Sequence, residues 1–120
     1  MALARTDLSA VTQIGAGASA GLVVGTGNTV FIKSVLMHNL SDTNDQNVTM
    51  YLVPGSGAGV GYGSTTNKIA RVGLGTDDTF FFEPAYPITL RKDSNDSLRI
   101  WNEGNVNNSI NVYASGDMEV

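Results

Sequence analysis

The chain contains no cysteine in its 120 residues, which excludes a disulfide framework and any thiolate metal site and leaves stability to packing or association. Charge is also sparse. Asp, Glu, Lys and Arg make up 15% of the residues, where a globular domain carries roughly 25%, and Ser, Thr, Asn and Gly fill the difference. The net charge is −4, and Lys33, Lys68, Arg71, Arg91, Lys92 and Arg99 are scattered among acids. Without a basic stripe there is no electrostatic drive for tight non-specific binding, so nucleic acid is not an expected partner. No apolar run approaches the roughly 18 residues of a membrane helix, and MALARTDLSAVTQIG lacks the basic start, apolar run and cleavage site of a signal peptide. A soluble chain with no membrane partner is expected.

Residues for bond-making chemistry are equally thin. The glycine-rich runs never read GxxxxGK[ST], and no G-x-G-x-x-G lies between a strand and a helix, so phosphate-cradling loops are excluded. The sole histidine, His38, reads as a hydrogen-bonded residue at a strand end. Asp42 to Asp45 and Asp93 to Asp96 alternate oxygen ligands but lack the glycine and terminal glutamate of a calcium loop, and Asp and Asn are what turns prefer. Asp77-Asp78 has no acidic partner at glycosidase spacing. No catalytic residue, cofactor or metal ligand is assigned, and the chain is expected not to be an enzyme.

What is present is strand grammar. Across Thr29 to Pro54 two strand-like segments flank a polar loop, and in the second Val48, Met50 and Leu52 alternate with Thr49, Tyr51 and Val53, so the stretch reads as one long hairpin with one buried face. Lys33-Ser34 interrupts a strand otherwise apolar on both faces, which suggests either a central strand covered twice or one with a bulge near Ser34. Further strands are expected over Lys68 to Leu74, Thr79 to Glu83, Pro87 to Arg91, Ser97 to Asn102 and Ser109 to Ala114, each bounded by turn residues. No window keeps a helical apolar period for three turns. Short strands at about ten-residue spacing without helices predict an all-β protein, an antiparallel β-sandwich of jelly-roll type.

The length suits one domain. Residues 29–120 are assigned to the sandwich, and residues 1–28, rich in Gly and Ala, to an N-terminal arm or a first short strand. Between Pro54 and Ser64 glycine occupies every second position, which reads either as a mobile loop carrying Val60 and Tyr62 or as an extended loop lying on a neighbouring subunit.

Alternation places Phe80, Phe82, Leu98, Ile100, Ile110 and Val112 on the inward face and sends Phe81, Trp101 and Tyr113 outward. With no basic residues between them, these outward aromatics suit a subunit interface better than a base-stacking platform; cover by a second sheet or loop of the same subunit is the alternative. Phe81, Trp101, Tyr113, Val60, Tyr62 and Leu22 are the candidate partner-interface residues.

The order VFIKSVLMHN, a polar loop, NVTMYLVP, then strands ending in LRIWNEGNVNNSINVYASG resembles small virion proteins of tailed bacteriophages, most of all the jelly-roll capsid cement, or decoration, proteins. The resemblance covers about residues 22 to 115. It implies a non-enzymatic homodimer or homotrimer on the capsid surface, assembled in the bacterial cytoplasm, with the major capsid protein or another virion protein as partner. A tail, baseplate or fibre component, or a carbohydrate-binding sandwich using Trp101 or Tyr62, are the alternatives.

Overall fold

The computed structural model describes residues 3–24, 27–55, 67–92, 95–103 and 109–119. Their elements are ten strands: β1 (Leu3–Asp7), β2 (Thr12–Ile14), β3 (Ser19–Val24), β4 (Val30–Asn39), β5 (Gln46–Val53), β6 (Lys68–Leu74), β7 (Thr79–Phe82), β8 (Ile88–Leu90), β9 (Ser97–Asn102) and β10 (Ile110–Glu119). They form two antiparallel sheets. In the first, β10 pairs with β4 on one side and with β1 and β2 on the other, while the far side of β4 pairs with β7 and β8. The second runs β3, β9, β5, β6. Since β1 and β2 share one strand position and β7 and β8 share another, each sheet is four positions wide.

Counted this way, the first strand position pairs with the last, the second with the seventh, the third with the sixth and the fourth with the fifth. That is the pairing of one long hairpin rolled up on itself, the jelly-roll arrangement. The expected all-β sandwich is therefore the fold, but the expected hairpin over Thr29 to Pro54 is not. β4 and β5 lie in different sheets, and the polar loop between them crosses the open end of the sandwich. Alternation fixes which face of a strand is buried and leaves its neighbour undetermined. Where one short first strand or an arm was expected over residues 1–28, Leu3 to Val24 supply three strands, β1 and β2 at one edge of the first sheet and β3 at one edge of the second.

The core between the sheets follows the period of two. Ile32, Met37, Val48, Met50, Leu98, Ile100, Ile110 and Val112 are fully buried, and Phe82 packs against them. Phe80, expected beside Phe82, is 37% exposed because β7 lies at the sheet edge, where the second sheet does not reach. β5 departs from one-faced burial, since Thr49 and Tyr51 on its other face are also buried. As a central strand it is flanked there by Trp101 and Arg99 on one side and by Arg71 and Lys68 on the other, whose long side chains cover it.

One end of the sandwich is held by buried amides. Asn39 Nδ2 donates to the carbonyls of Asn44 (2.9 Å), Gly75 (3.0 Å) and Leu74 (3.4 Å), while its Oδ1 accepts from the Ser41 amide (3.0 Å). This joins β4 of the first sheet to the end of β6 in the second. Asn102 makes the matching link, donating to the Ile14 carbonyl (3.0 Å) and accepting from Gln46. At the other end Arg91 grips the buried Asp96 through two parallel bonds of 2.8 and 3.0 Å, and Asp96 also accepts from the amides of Gly55 and Arg91.

The β4–β10 ladder carries the bulge expected near Ser34: Ser115 pairs with Ser34 but Gly116 with Ile32, leaving Lys33 as the extra residue. Lys33 then reaches Asp117 at 2.5 Å, and the hydroxyls of Ser34 and Ser115 are 2.7 Å apart. Here glycine is required by close approach. A Cβ on Gly116 would lie 2.0 Å from the Phe31 carbonyl oxygen and 2.9 Å from the Lys33 nitrogen, both backbone atoms.

Gly116→Ala is expected to cost on the order of 4 kcal/mol or to prevent soluble folding, because β10 must move away from β4. Gly73→Ala, whose Cβ would meet only Asn47 Oδ1 at 3.5 Å, is expected to be neutral or to stabilise by roughly 0.5–1 kcal/mol. Thermal melts of the two variants check this; equal melting temperatures would show that the bulge is not where the register places it.

Candidate interaction surface

The outward aromatics do not form one row. Phe81 and Tyr113 lie on the outer face of the first sheet, whereas Trp101 on β9 lies on the outer face of the second, with the thickness of the sandwich between. Within the first sheet Leu36 joins the two: it is paired with Tyr113 on β10 and with Phe81 on β7. Directly opposed side chains in a sheet are roughly 5 Å apart, so Tyr113, Leu36 and Phe81 make a continuous apolar stripe across three strands. Exposure rises along it, from the half-buried Tyr113 and Leu36 to Phe81 at 60%.

The stripe has polar borders. On one side lie Asn111, His38 and Thr79, with His38 Nδ1 2.7 Å from Thr79 Oγ1 and His38 Nε2 3.2 Å from Asp77 Oδ1. On the other is the Ser34–Ser115 pair. The hydroxyl, imidazole and carboxylate around His38 are the hydrogen-bonded strand-end arrangement expected of it; they lie on an open strand face, with Asp77 held in the left-handed region at φ 56°.

At Phe81 the stripe reaches the edge of the sheet, since among the described residues no strand pairs with the far side of β7. Two further aromatics are exposed in this part of the chain: Phe80, on the inward face of β7, at 37% and Tyr86, in the loop between β7 and β8, at 86%. Tyr86 and Leu36 were not singled out from sequence. Leu36 sits between the buried Val35 and Met37, where alternation alone shows that it faces outward, and Tyr86 stands in Pro84-Ala85-Tyr86-Pro87, where rigid prolines hold an aromatic off the sheet. Carboxylates flank the strand, Asp77 and Asp78 before it and Glu83 after it, and all three residues are exposed.

The other candidates fall elsewhere. Leu22 is 7% exposed and belongs to the core, so packing against the opposite sheet, not a partner, occupies it. Val60 and Tyr62 lie outside the described residues. Trp101 is half-buried between Ser19 and Thr49. Its neighbours are committed to the fold: Asn102 faces the core, and Glu103 accepts from Thr49 and from Arg71 Nε at 3.1 Å. Burial pushes the Glu103 carboxyl up, but the bonds from Thr49 and Arg71 and the charges of Arg71 and Lys68 outweigh it, leaving its pKa below the ordinary range.

A cleft of about 450 Å³ opens at the Asp96 end, lined by Leu52, Val53, Pro54, Thr89, Arg91 and Asp96. The loop from Ser41 to Asn44 is closed by local bonds, the amides of Thr43 and Asn44 donating to Ser41 Oγ, which is turn chemistry. Among the described residues no three of His, Cys, Asp and Glu group as metal ligands. Compared with protein-family models, curated proteins and solved structures, the chain matches none.

Because the folded pKa of Glu103 is depressed, the stability it contributes is present above the ordinary glutamate value of about 4.3 and is lost as pH falls through the lower, folded value. Glu103→Gln is therefore expected to flatten the acid limb of stability below about pH 4. Urea melts of both proteins between pH 6 and 3 measure it; parallel slopes would place the acid sensitivity elsewhere.

Proposed function

We propose that the chain is a non-enzymatic structural protein of a virion, a cement or decoration protein that binds the major capsid protein lattice and stabilises the head. The observation that carries this reading is the stripe from Tyr113 through Leu36 to Phe81, which ends at a sheet edge left open among the described residues. Exposed, contiguous aromatic surface on a small sandwich marks a place of association, and aromatics are the residues enriched at interfaces. The jelly-roll strand order agrees with the resemblance of the sequence to cement proteins, and viral capsid domains use this architecture. The protein acts at the capsid surface as a homotrimer or homodimer whose symmetry matches its lattice site.

A tail, baseplate or fibre component would use the same surface. The carbohydrate-binding reading has weaker support, since Asn102 faces inward and Glu103 is engaged by Thr49 and Arg71, which leaves Trp101 without free polar neighbours from that triplet.

Mixed with undecorated heads, the protein is expected to bind stoichiometrically at lattice axes. Phe81→Asp should weaken attachment at least tenfold while leaving the melting temperature within a few degrees, because Phe81 is 60% exposed. Recovery of the protein with tails instead of heads would select the tail reading. Sedimentation equilibrium at micromolar concentration tests self-association, and a monomer of 12.6 kDa would restrict oligomers to those templated by the particle.

A further inference from the structure

The phase of the β7 backbone follows from one bond. The Asn39 amide donates to the Asp78 carbonyl at 2.9 Å, so Asp78 turns its carbonyl toward β4. In an antiparallel ladder successive residues alternate between facing the partner strand and facing away. Phe80 and Phe82 therefore bond to β4, opposite Met37 and Val35, while Thr79 and Phe81 direct their N–H and C=O groups to the open side. Neither backbone has another hydrogen-bond partner in the described structure.

An open strand edge with exposed aromatics is a template for pairing, which proteins usually blunt with lysine, proline or a covering element. Here the blunting residues are acids at the two ends, Asp77 and Asp78 before the strand and Glu83 after it. They act against self-pairing. Two β7 strands laid antiparallel bring Asp77 or Asp78 of one copy beside Glu83 of the other at both ends, a like-charge juxtaposition that costs pairing energy. A strand with basic residues at both ends meets the opposite situation in either direction. The net charge of −4 favours its approach as well.

We infer that the β7 edge is the docking site for an extended segment of the partner protein that carries lysine or arginine at both ends, added as a further strand to the first sheet. The inference rests on the reading of the chain as an assembly protein and names the chemistry of its partner. The added strand bonds to Thr79 and Phe81, its alternate side chains lie along Phe81 at the end of the stripe, and its terminal cations face Asp77, Asp78 and Glu83. Contacts between copies of this chain must use other surfaces.

The test uses the full chain and two ten-residue peptides with alternating threonine and valine in the centre, one ended by two lysines on each side and the other by two glutamates. In amide-resolved NMR titrations the lysine peptide is expected to bind at least tenfold more tightly, more weakly at higher salt, and to slow hydrogen exchange at the Thr79 and Phe81 amides. Phe81→Pro removes one edge-facing N–H, leaves the bonds to β4 in place, and is expected to lose the peptide. Asp78→Lys with Glu83→Lys should reverse the preference between peptides. Equal binding of both peptides, no binding at millimolar concentration, or shifts on another face would overturn the inference. Attachment to heads is measured separately: a protein that binds the lysine peptide at β7 but not heads keeps the inference and loses the capsid reading, and the converse result removes the inference alone.

Discussion

The ladder between β4 and β10 is the interaction on which the remainder of the structure depends. It lies at the centre of the first sheet and joins strands separated by some 70 residues of chain, a closure whose entropic cost is recovered only when long strands pair over most of their length. Tyr113 and Leu36 stand on this ladder, and β7 and β8 attach to its outer side. Its one irregularity, the bulge at Lys33, is possible because Gly116 lets the Phe31 carbonyl come where a side chain would otherwise be. The ion pair of Lys33 with Asp117 and the Ser34–Ser115 contact then occupy the outward side of the irregularity.

Strand positions and faces were legible in the sequence because they are local properties. Lys68 to Leu74 and Ser97 to Asn102 run over the expected residues, Leu98, Ile100, Ile110 and Val112 are buried as alternation requires, and the bulge was marked by a polar pair inside an apolar strand. Pairing was not legible. The Thr29 to Pro54 segment has the pattern of a hairpin, yet its strands part into two sheets, because in a rolled hairpin the neighbour of a strand is set by the whole chain and not by the adjoining loop. The same gap affected the surface residues. Phe81, Trp101 and Tyr113 were each placed outward, but a sandwich has two outer faces, and only strand order assigns Trp101 to the opposite one. Residues 1–28 were ambiguous for another reason: small side chains give little amphipathic signal, and the strands of Leu3 to Val24 owe their order to β9 and β10.

The two outer faces have different characters. That of the second sheet carries Trp101 together with a polar group in which Thr49 and Arg71 both donate to Glu103. That of the first carries apolar surface toward an edge whose backbone groups face solvent. The buried amides at one end and the Arg91–Asp96 grip at the other link the two sheets at both ends of the sandwich.

The position of β10 in the chain also bears on synthesis at the ribosome. β4 precedes β10 by some 70 residues of chain, and until the strand that completes the first sheet emerges it offers its unpaired side and its apolar face to any other nascent or newly released chain. Sandwiches dominated by such distant contacts fold in milliseconds to seconds. β7 precedes β10 as well, and by the same like-charge argument Asp77, Asp78 and Glu83 disfavour pairing of its open edge with β7 of another growing chain in that interval.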